Sequence, residues 1–444
     1  MKISSIKIRS LKNNIKRFIS PLIILSVITA ISGCSGENAS QVPKAEKERT
    51  EIEYWYAGGK TAVKVMADII DSFNASQDEY VIKPVVKASY DETYQGLQAA
   101  LAGNVSPDLV LLETEASHYL SGKGILENVG EQLKSTPSFS LDDYIDVFID
   151  SCKGDRDELY MFPAYGTTQV FYYNREAFEK AGVNPESIKS WQDLADQKER
   201  FTSSGIEYVW EPMWGPDNLI DVAFSNGASM FSSDGKEVTI DSPEWIQVFE
   251  AFRKWIHEDK IMKIHSGGQG WEYWYKTMDD ALSGTAAGYT GSSGDQADLD
   301  FTLVGALEQP GFGSNASSPT AEAKDFVIVK SSSEKEKTGA AAFIRYFTSP
   351  EQQAVWSMGT GYVPVCKNMD SVESYHNYVK EHPEITVPLQ QSQHASVLPI
   401  DPTGGKIYDA LKIAADQVEL ENIPAEEALS EAQKKAEEAM RELS

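Results

Sequence analysis

Between Glu51 and Leu112 the chain switches its hydrophobic period four times, and few folds accommodate such a segment. Glu51 to Tyr56 (EIEYWY) is a short aromatic and β-branched run. Thr61 to Phe73 then sets Val63, Val65, Met66, Ile69, Ile70 and Phe73 at helical spacing. Tyr80 to Val86 returns to strand character, Asp91 to Ala102 to helix and, after the loop Gly103 to Pro107, Asp108 to Leu112 to strand. Strand, helix, strand, helix, strand in so short a span predicts an α/β lobe built on a mostly parallel sheet.

The pattern resumes after Pro163. Gln169 to Tyr173 reads as a strand, followed by helices near Arg175 to Ala181, Trp191 to Phe201, Leu219 to Ser225 and Pro243 to Glu258. Short strands return around Gly284 to Ser293 and Asp325 to Val329, and from Glu334 onward the chain is almost wholly helical. In Pro424 to Leu443 the residues Ala428, Leu429, Ala432, Ala436, Ala439, Met440 and Leu443 share one face, which predicts a helix docked on a lobe. Roughly 400 residues exceed what one core usually serves, so two domains are expected.

The first 33 residues hold six cations and no acid, then the apolar run Phe18 to Ile31, then Ile31-Ser32-Gly33-Cys34. This is the layout of a secretory signal peptide, and it predicts an extracytoplasmic protein. The apolar run is too short and too interrupted by Ser20, Pro21, Ser26 and Thr29 to be a membrane span. The tetrad ending in Cys34 resembles a bacterial lipobox, which implies acylation of that cysteine and a membrane-anchored lipoprotein. Residues 34–50 then read as a flexible tether, with the folded body starting near Glu51.

Of the 40 basic residues the leader takes six, against 67 acids, which leaves the mature chain at −33. Such a surface repels phosphate backbones and anionic headgroups, so nucleic acid is not an expected partner. Cys152 and Cys366 either pair or stay independent, and sequence does not choose between them. The six histidines show no zinc-hydrolase spacing, so no metal and no cofactor is expected. Gly58-Gly59-Lys60-Thr61 lies where a P-loop would, but Tyr54 stands where that motif needs glycine. Gly291-Ser292-Ser293-Gly294 fails as a nucleophile elbow because Asp295 replaces its last glycine.

Four phrases carry a resemblance: EIEYWYAGG, FNASQDEYVIKPVVKASYDETYQGLQAALAGNVSPDLVLLE, TTQVFYYNREAFEKAGVNPESIKSWQDLAD and FIRYFTSPEQQAVWSMGTGYVPV. In this order and spacing the chain resembles the family 1 extracellular solute-binding proteins of ABC importers, nearest to their glycerol-3-phosphate- and sugar-binding group. The resemblance spans nearly all of residues 51–444. It implies the two-lobe α/β periplasmic-binding-protein fold of type II, with the ligand in the cleft between lobes. Lobe 1 is expected to comprise 51–157 with a return segment 288–340, and lobe 2 to comprise 158–287 with a return segment 341–444. A monomer that delivers its ligand to membrane permease subunits, with no catalysis, is the implied role.

Carried over residue by residue, the resemblance places Tyr90, Glu113, Thr167, Trp214, Ser292, Ser293 and Tyr362 at ligand-contact positions. Polyols need aromatic faces for their C–H surfaces and fixed donors and acceptors for their hydroxyls, which these residue types provide. Glu113, at the C-terminal end of its strand, is expected to accept two hydroxyl protons. A buried tyrosine or simple turn chemistry is the plainer account of the tyrosines and hydroxyl residues respectively, and a core position is that of Trp214. The cluster Trp271, Tyr273, Trp274 and Tyr275 is a further candidate rim.

The chain departs from the phosphate-binding members at two places. Glu322-Ala323 stands where they have a Gly-Gly pair, and LPIDPTGG, from Leu398 to Gly405, lacks their arginine. A phosphate dianion wants N–H donors and a guanidinium fork, and an added carboxylate repels it. The expected ligand is therefore a sugar or oligosaccharide. Glycerol-3-phosphate or a glycerophosphodiester is the alternative within the family, and a secreted glycoside hydrolase the alternative outside it, since paired carboxylates also cleave sugars.

Overall fold

A computed structural model describes residues 49–134, 139–154, 158–268 and 271–443. The leader, Cys34 and the tether up to residue 48 lie outside the described residues. Nine strands are described: β1 (Thr50–Tyr56), β2 (Tyr80–Val86), β3 (Leu109–Glu113), β4 (Phe162–Thr167), β5 (Gln169–Asn174), β6 (Glu211–Pro212), β7 (Gly288–Ser292), β8 (Val304–Leu307) and β9 (Glu322–Ile328). They form two sheets, a five-stranded one ordered β2-β1-β3-β9-β4 and a four-stranded one ordered β6-β7-β5-β8.

Local chemistry explains the first sheet. In β1 the side chains of Ile52, Tyr54 and Tyr56 alternate inward while Glu51 and Glu53 face solvent. The helix Lys60–Ser76 buries Ala62, Met66, Ile69, Ile70 and Phe73 along one stripe against that sheet. The helix Tyr90–Gly103 starts where the Ser89 side chain accepts from Glu92 N–H and ends at Asn104, whose φ of 55° fits a left-handed cap. β3 reads LVLL because both of its faces are covered.

The sheets are mixed rather than mostly parallel. β1 pairs in parallel with β2 and β3, but β9 enters between β3 and β4 antiparallel to both. In the second sheet only β6–β7 is parallel. The sequence pattern reveals which residues form strands; it carries no information on a partner arriving some 200 residues later.

Each sheet has its own core. One gathers Ile52, Phe73, Phe326, Phe343 and Trp356, the other Trp191, Trp210, Trp245, Phe249, Leu411 and Leu429. The expected lobe boundaries need three corrections. β4 belongs to the first sheet, bonded to β9. β7 and β8 belong to the second, bonded to β5. The helix Glu334–Phe347, expected to leave the first lobe at residue 341, and the helix Pro350–Thr360, expected in the second, both pack on the first core. Apolar spacing marks a helix face without saying which of two cores covers it. The helix Ala425–Arg441 does dock on the second core through Ala428, Leu429, Ala432 and Ala436.

The chain crosses between sheets at Thr168, along residues 308–321, and between Ile385 and Ile407, whose side chains lie in different cores. Buried amides bind these crossings together. Gln391 Nε2 donates to Thr168 Oγ1 and to the Gln169 carbonyl, and Gln391 Oε1 accepts from Gln309 N–H. Asp221 accepts from Thr320 N–H and Oγ1 and from Gln309 Nε2. Cys152 and Cys366 are free and buried, one hydrogen-bonded to Asp325 and the other beside Met369, so they do not pair.

Candidate ligand-binding cleft

The antiparallel register of β3 and β9 sets Glu113 opposite Lys324. Lys324 Nζ lies 2.8 Å from Glu113 Oε1, and 5.0 Å from the centre of the Tyr90 ring. Burial acts to lower the Lys324 pKa, but the nearby charges of Glu113 and Glu322 outweigh it and hold the ammonium well above its ordinary value. Glu113 is therefore not a wholly free acceptor: one oxygen is engaged by a lysine that the sequence reading did not single out.

Tyr90 opens its helix and its hydroxyl lies 3.0 Å from that of Tyr165 in β4. The Tyr165 ring in turn lies 4.6 Å from both Tyr362 and Trp356, and Tyr362 stacks on Trp356 at 6.0 Å with 9° between planes. Tyr362 reaches this place because Gly361 ends the preceding helix at a φ of 80°. Gly294 leaves room for it: a Cβ there would sit 2.4 Å from the Tyr362 ring.

At the sheet crossing, Thr167 Oγ1 lies 3.2 Å from Ser292 Oγ, and Ser293 Oγ donates to Thr167 Oγ1 at 3.5 Å. Ser293 is fully buried, and Ser292 caps the following turn by accepting from Gly294 N–H. Tyr90, Ser292 and Tyr362 line one cavity together with Thr61, Trp271, Trp274 and Asp295. Glu113, Thr167, Trp214 and Ser293 are not among its lining residues. Burial pushes the Asp295 carboxyl up to about 8 even though Trp274 Nε1 and the Tyr289 hydroxyl donate to it.

Trp214 is half-buried, donates to Asp416 at 2.6 Å and meets Tyr273 edge-on at 5.3 Å. Three residues later Asp217 accepts from the Tyr408 hydroxyl. Asp217 keeps solvent-accessible surface although protein surrounds it, as befits a cleft residue. Burial raises its pKa, the Glu113 charge adds to that and Lys324 opposes it, so second-lobe Asp217 stands within the field of the first-lobe pair. Glu115 and Glu322 also face this region. Burial, then neighbouring carboxylates, push Glu115 up to about 7, and burial holds Glu322 up to about 7 against the lowering pull of Lys324.

In the LPIDPTGG segment the Asp401 carboxylate accepts from Thr403 and Ile407 N–H. Gly404 and Gly405, at φ of 74° and 97°, pass so close to Tyr119 and Glu115 that a Cβ would come within 2.8 and 2.9 Å of them. Lys324, Asp217, Asp295 and Tyr408 are what sequence reasoning missed. Lys324 lies in EAKDFVI, a strand buried along nearly its whole length that also carries the charges of Glu322 and Asp325, so no lone charge marks it in the sequence.

The family model described as bacterial extracellular solute-binding protein matches residues 68–386. Among characterised relatives, the sn-glycerol-3-phosphate-binding periplasmic protein UgpB of Escherichia coli strain K12 is 24% identical over 364 residues, covering 79% of this chain and 82% of its own. Two solved structures share the two-lobe fold. UgpB from Mycobacterium tuberculosis in complex with glycerophosphocholine has a TM-score of 0.79 at 20% identity, covering 89% of this chain and all of its own. The GacH receptor of Streptomyces glaucescens, solved unliganded and with acarbose, has a TM-score of 0.77 at 16% identity, covering 89% of this chain and 99% of its own. No helix among the described residues is long and apolar enough to cross a membrane. With two lobes, a polar aromatic cleft and a match over most of its length, the chain belongs to the bacterial extracellular solute-binding proteins, which bind their ligands and are not enzymes.

Proposed function

We propose that this protein is the substrate-binding lipoprotein of an ABC importer and captures a neutral sugar or oligosaccharide in its cleft. The observation that carries the ligand class is the charge around Lys324: Glu113, Glu322 and Asp217 lie within its field, Glu115 lies beside them, and no arginine is present in the Leu398 to Gly405 segment. That surplus of carboxylates opposes a phosphate dianion and suits hydroxyl donors. Tyr90, Tyr362 and Trp214 supply aromatic faces, Glu113, Thr167 and Ser292 supply the polar contacts, and buried Ser293 supports them through its bond to Thr167. Closure of the lobes about the crossings desolvates these bonds, and the importer reopens them.

A glycerophosphodiester with a cationic head is the second reading, favoured by one observation. Lys324 can meet a phosphodiester while the surrounding carboxylates and aromatic rings suit a quaternary ammonium. Titration of the mature protein with maltodextrins, smaller sugars, glycerol-3-phosphate and glycerophosphocholine tests both. Binding of neutral saccharides alone supports the first reading, and binding of glycerophosphocholine alone replaces it with the second. Lipid attachment at Cys34 predicts incorporation of a labelled fatty acid that Cys34→Ala abolishes.

A further inference from the structure

Three side chains from three separate segments converge at β6. Glu211 of β6 is fully buried, and neither of its carboxylate oxygens has a hydrogen-bond partner. Asp280 comes from the helix Glu272–Ser283 and His265 from the segment that precedes it. His265 Nε2 lies 2.8 Å from Asp280 Oδ2 and 3.6 Å from Glu211 Oε2. One donor atom from each of the three lies within 4.8 Å of the others.

A fully buried carboxyl without any donor is costly in either protonation state. Its neighbours in the cluster are His265, 3.6 Å away, and the Asp280 carboxylate, whose charge repels it when both are ionised. Lys263 does not remedy this, since its ammonium is bonded 2.7 Å away to Asp280. A small cation held at all three residues would satisfy Glu211 and the Asp280–His265 pair at once.

We propose that Glu211, His265 and Asp280 form a binding site for a first-row divalent cation of the Zn2+ type. One imidazole nitrogen with two carboxylates is a donor set that suits zinc, whose bonds to nitrogen and oxygen run at about 2.0–2.2 Å. Binding needs the three donors to draw together slightly and Lys263 to release Asp280. The lysine side chain is 34% exposed and can turn to solvent. The site would clamp β6 to the helix Glu272–Ser283. Trp214 follows Glu211 by three residues, and that helix carries Tyr273 and Trp274, so the clamp joins the two elements that present aromatic side chains to the candidate cleft. The ligands lie far apart in sequence, which is why no histidine spacing announces them.

The test is calorimetric titration of the chelator-stripped mature protein with Zn2+, paired with its thermal unfolding. One equivalent of zinc is expected to bind with a raised Tm, and Glu211→Gln and His265→Ala are each expected to weaken binding at least about tenfold. Circular dichroism verifies that both variants fold, and His265, partly exposed, is the substitution less demanding on the core. Absence of saturable binding overturns the proposal. So does zinc binding that survives both substitutions, or that is lost instead in His394→Ala at the surface pair His394–Glu308. Stabilisation by Glu211→Gln with no zinc response would identify the cluster as a protonated carboxyl pair and overturn it too.

Discussion

Gln391 and Thr168 stand 223 residues apart in the chain, yet the amide of one donates to the hydroxyl of the other at 2.7 Å where the sheets meet. Gln391 also accepts from Gln309 N–H, so one side chain holds all three crossings in register. Gln391→Leu would strand the buried Gln309 N–H, while Thr168 keeps its bond to the Thr320 carbonyl and the Gln169 carbonyl keeps Gln309 Nε2. A loss of about 1–3 kcal/mol is expected, read from urea unfolding, which is the cost of one buried orphan. An unchanged midpoint would mean that water replaces the amide.

Removal of the Glu113 carboxylate tests the cleft assignment. Hydrogen bonds to charged groups are worth about 1.5–3 kcal/mol, so Glu113→Ala is expected to weaken the bound solute by about tenfold to a hundredfold. Lys324 keeps Glu322 nearby, which limits the effect on folding. Equal affinity in calorimetry would remove Glu113 from the contact set.

The approach of Tyr362 to the turn at Gly294 gives a second handle. Gly294→Ala places a methyl 2.4 Å from the ring, which must shift off Trp356. Overpacking of this kind costs about 1–3 kcal/mol. Lower stability together with weaker ligand binding is expected; full affinity in the variant would separate Tyr362 from recognition.

Stability should fall as pH rises from about 4 to about 8. In the unfolded chain Asp and Glu titrate near 4. Burial holds Asp221, Glu115 and Glu322 up to about 7 and Asp295 up to about 8 in the folded protein. Between these values the native state binds more protons than the unfolded state. Their contribution is complete below about pH 4 and disappears as pH passes through 7 to 8. Asp295→Asn, which needs no proton there, is expected to flatten the Tm-against-pH profile; a parallel profile would mean that Asp295 is ionised throughout.

Much of the architecture is legible in the residues. Helix stripes such as Ala62, Met66, Ile69 and Phe73, and the alternation of Ile52, Tyr54 and Tyr56, are local patterns set by local geometry. Sheet membership is not local: Val170 pairs with Gly291 and Leu109 with Ile328, and nothing in either segment names its partner. In the cleft, resemblance pointed to Tyr90, Ser292 and Tyr362, which do meet around one cavity. Lys324 and Asp217 stayed hidden because their significance arises only when β9 and the second lobe bring them beside Glu113.

The place of β9 in the first sheet bears on how the molecule is made. β3 and β4 are both bonded to a strand that begins at residue 322, so the sheet stays split until more than two thirds of the polypeptide is available. Such long-range pairing slows folding. A chain emerging amino-terminus first therefore cannot lock its leading lobe early, and β3 and β4 wait for the strand that joins them.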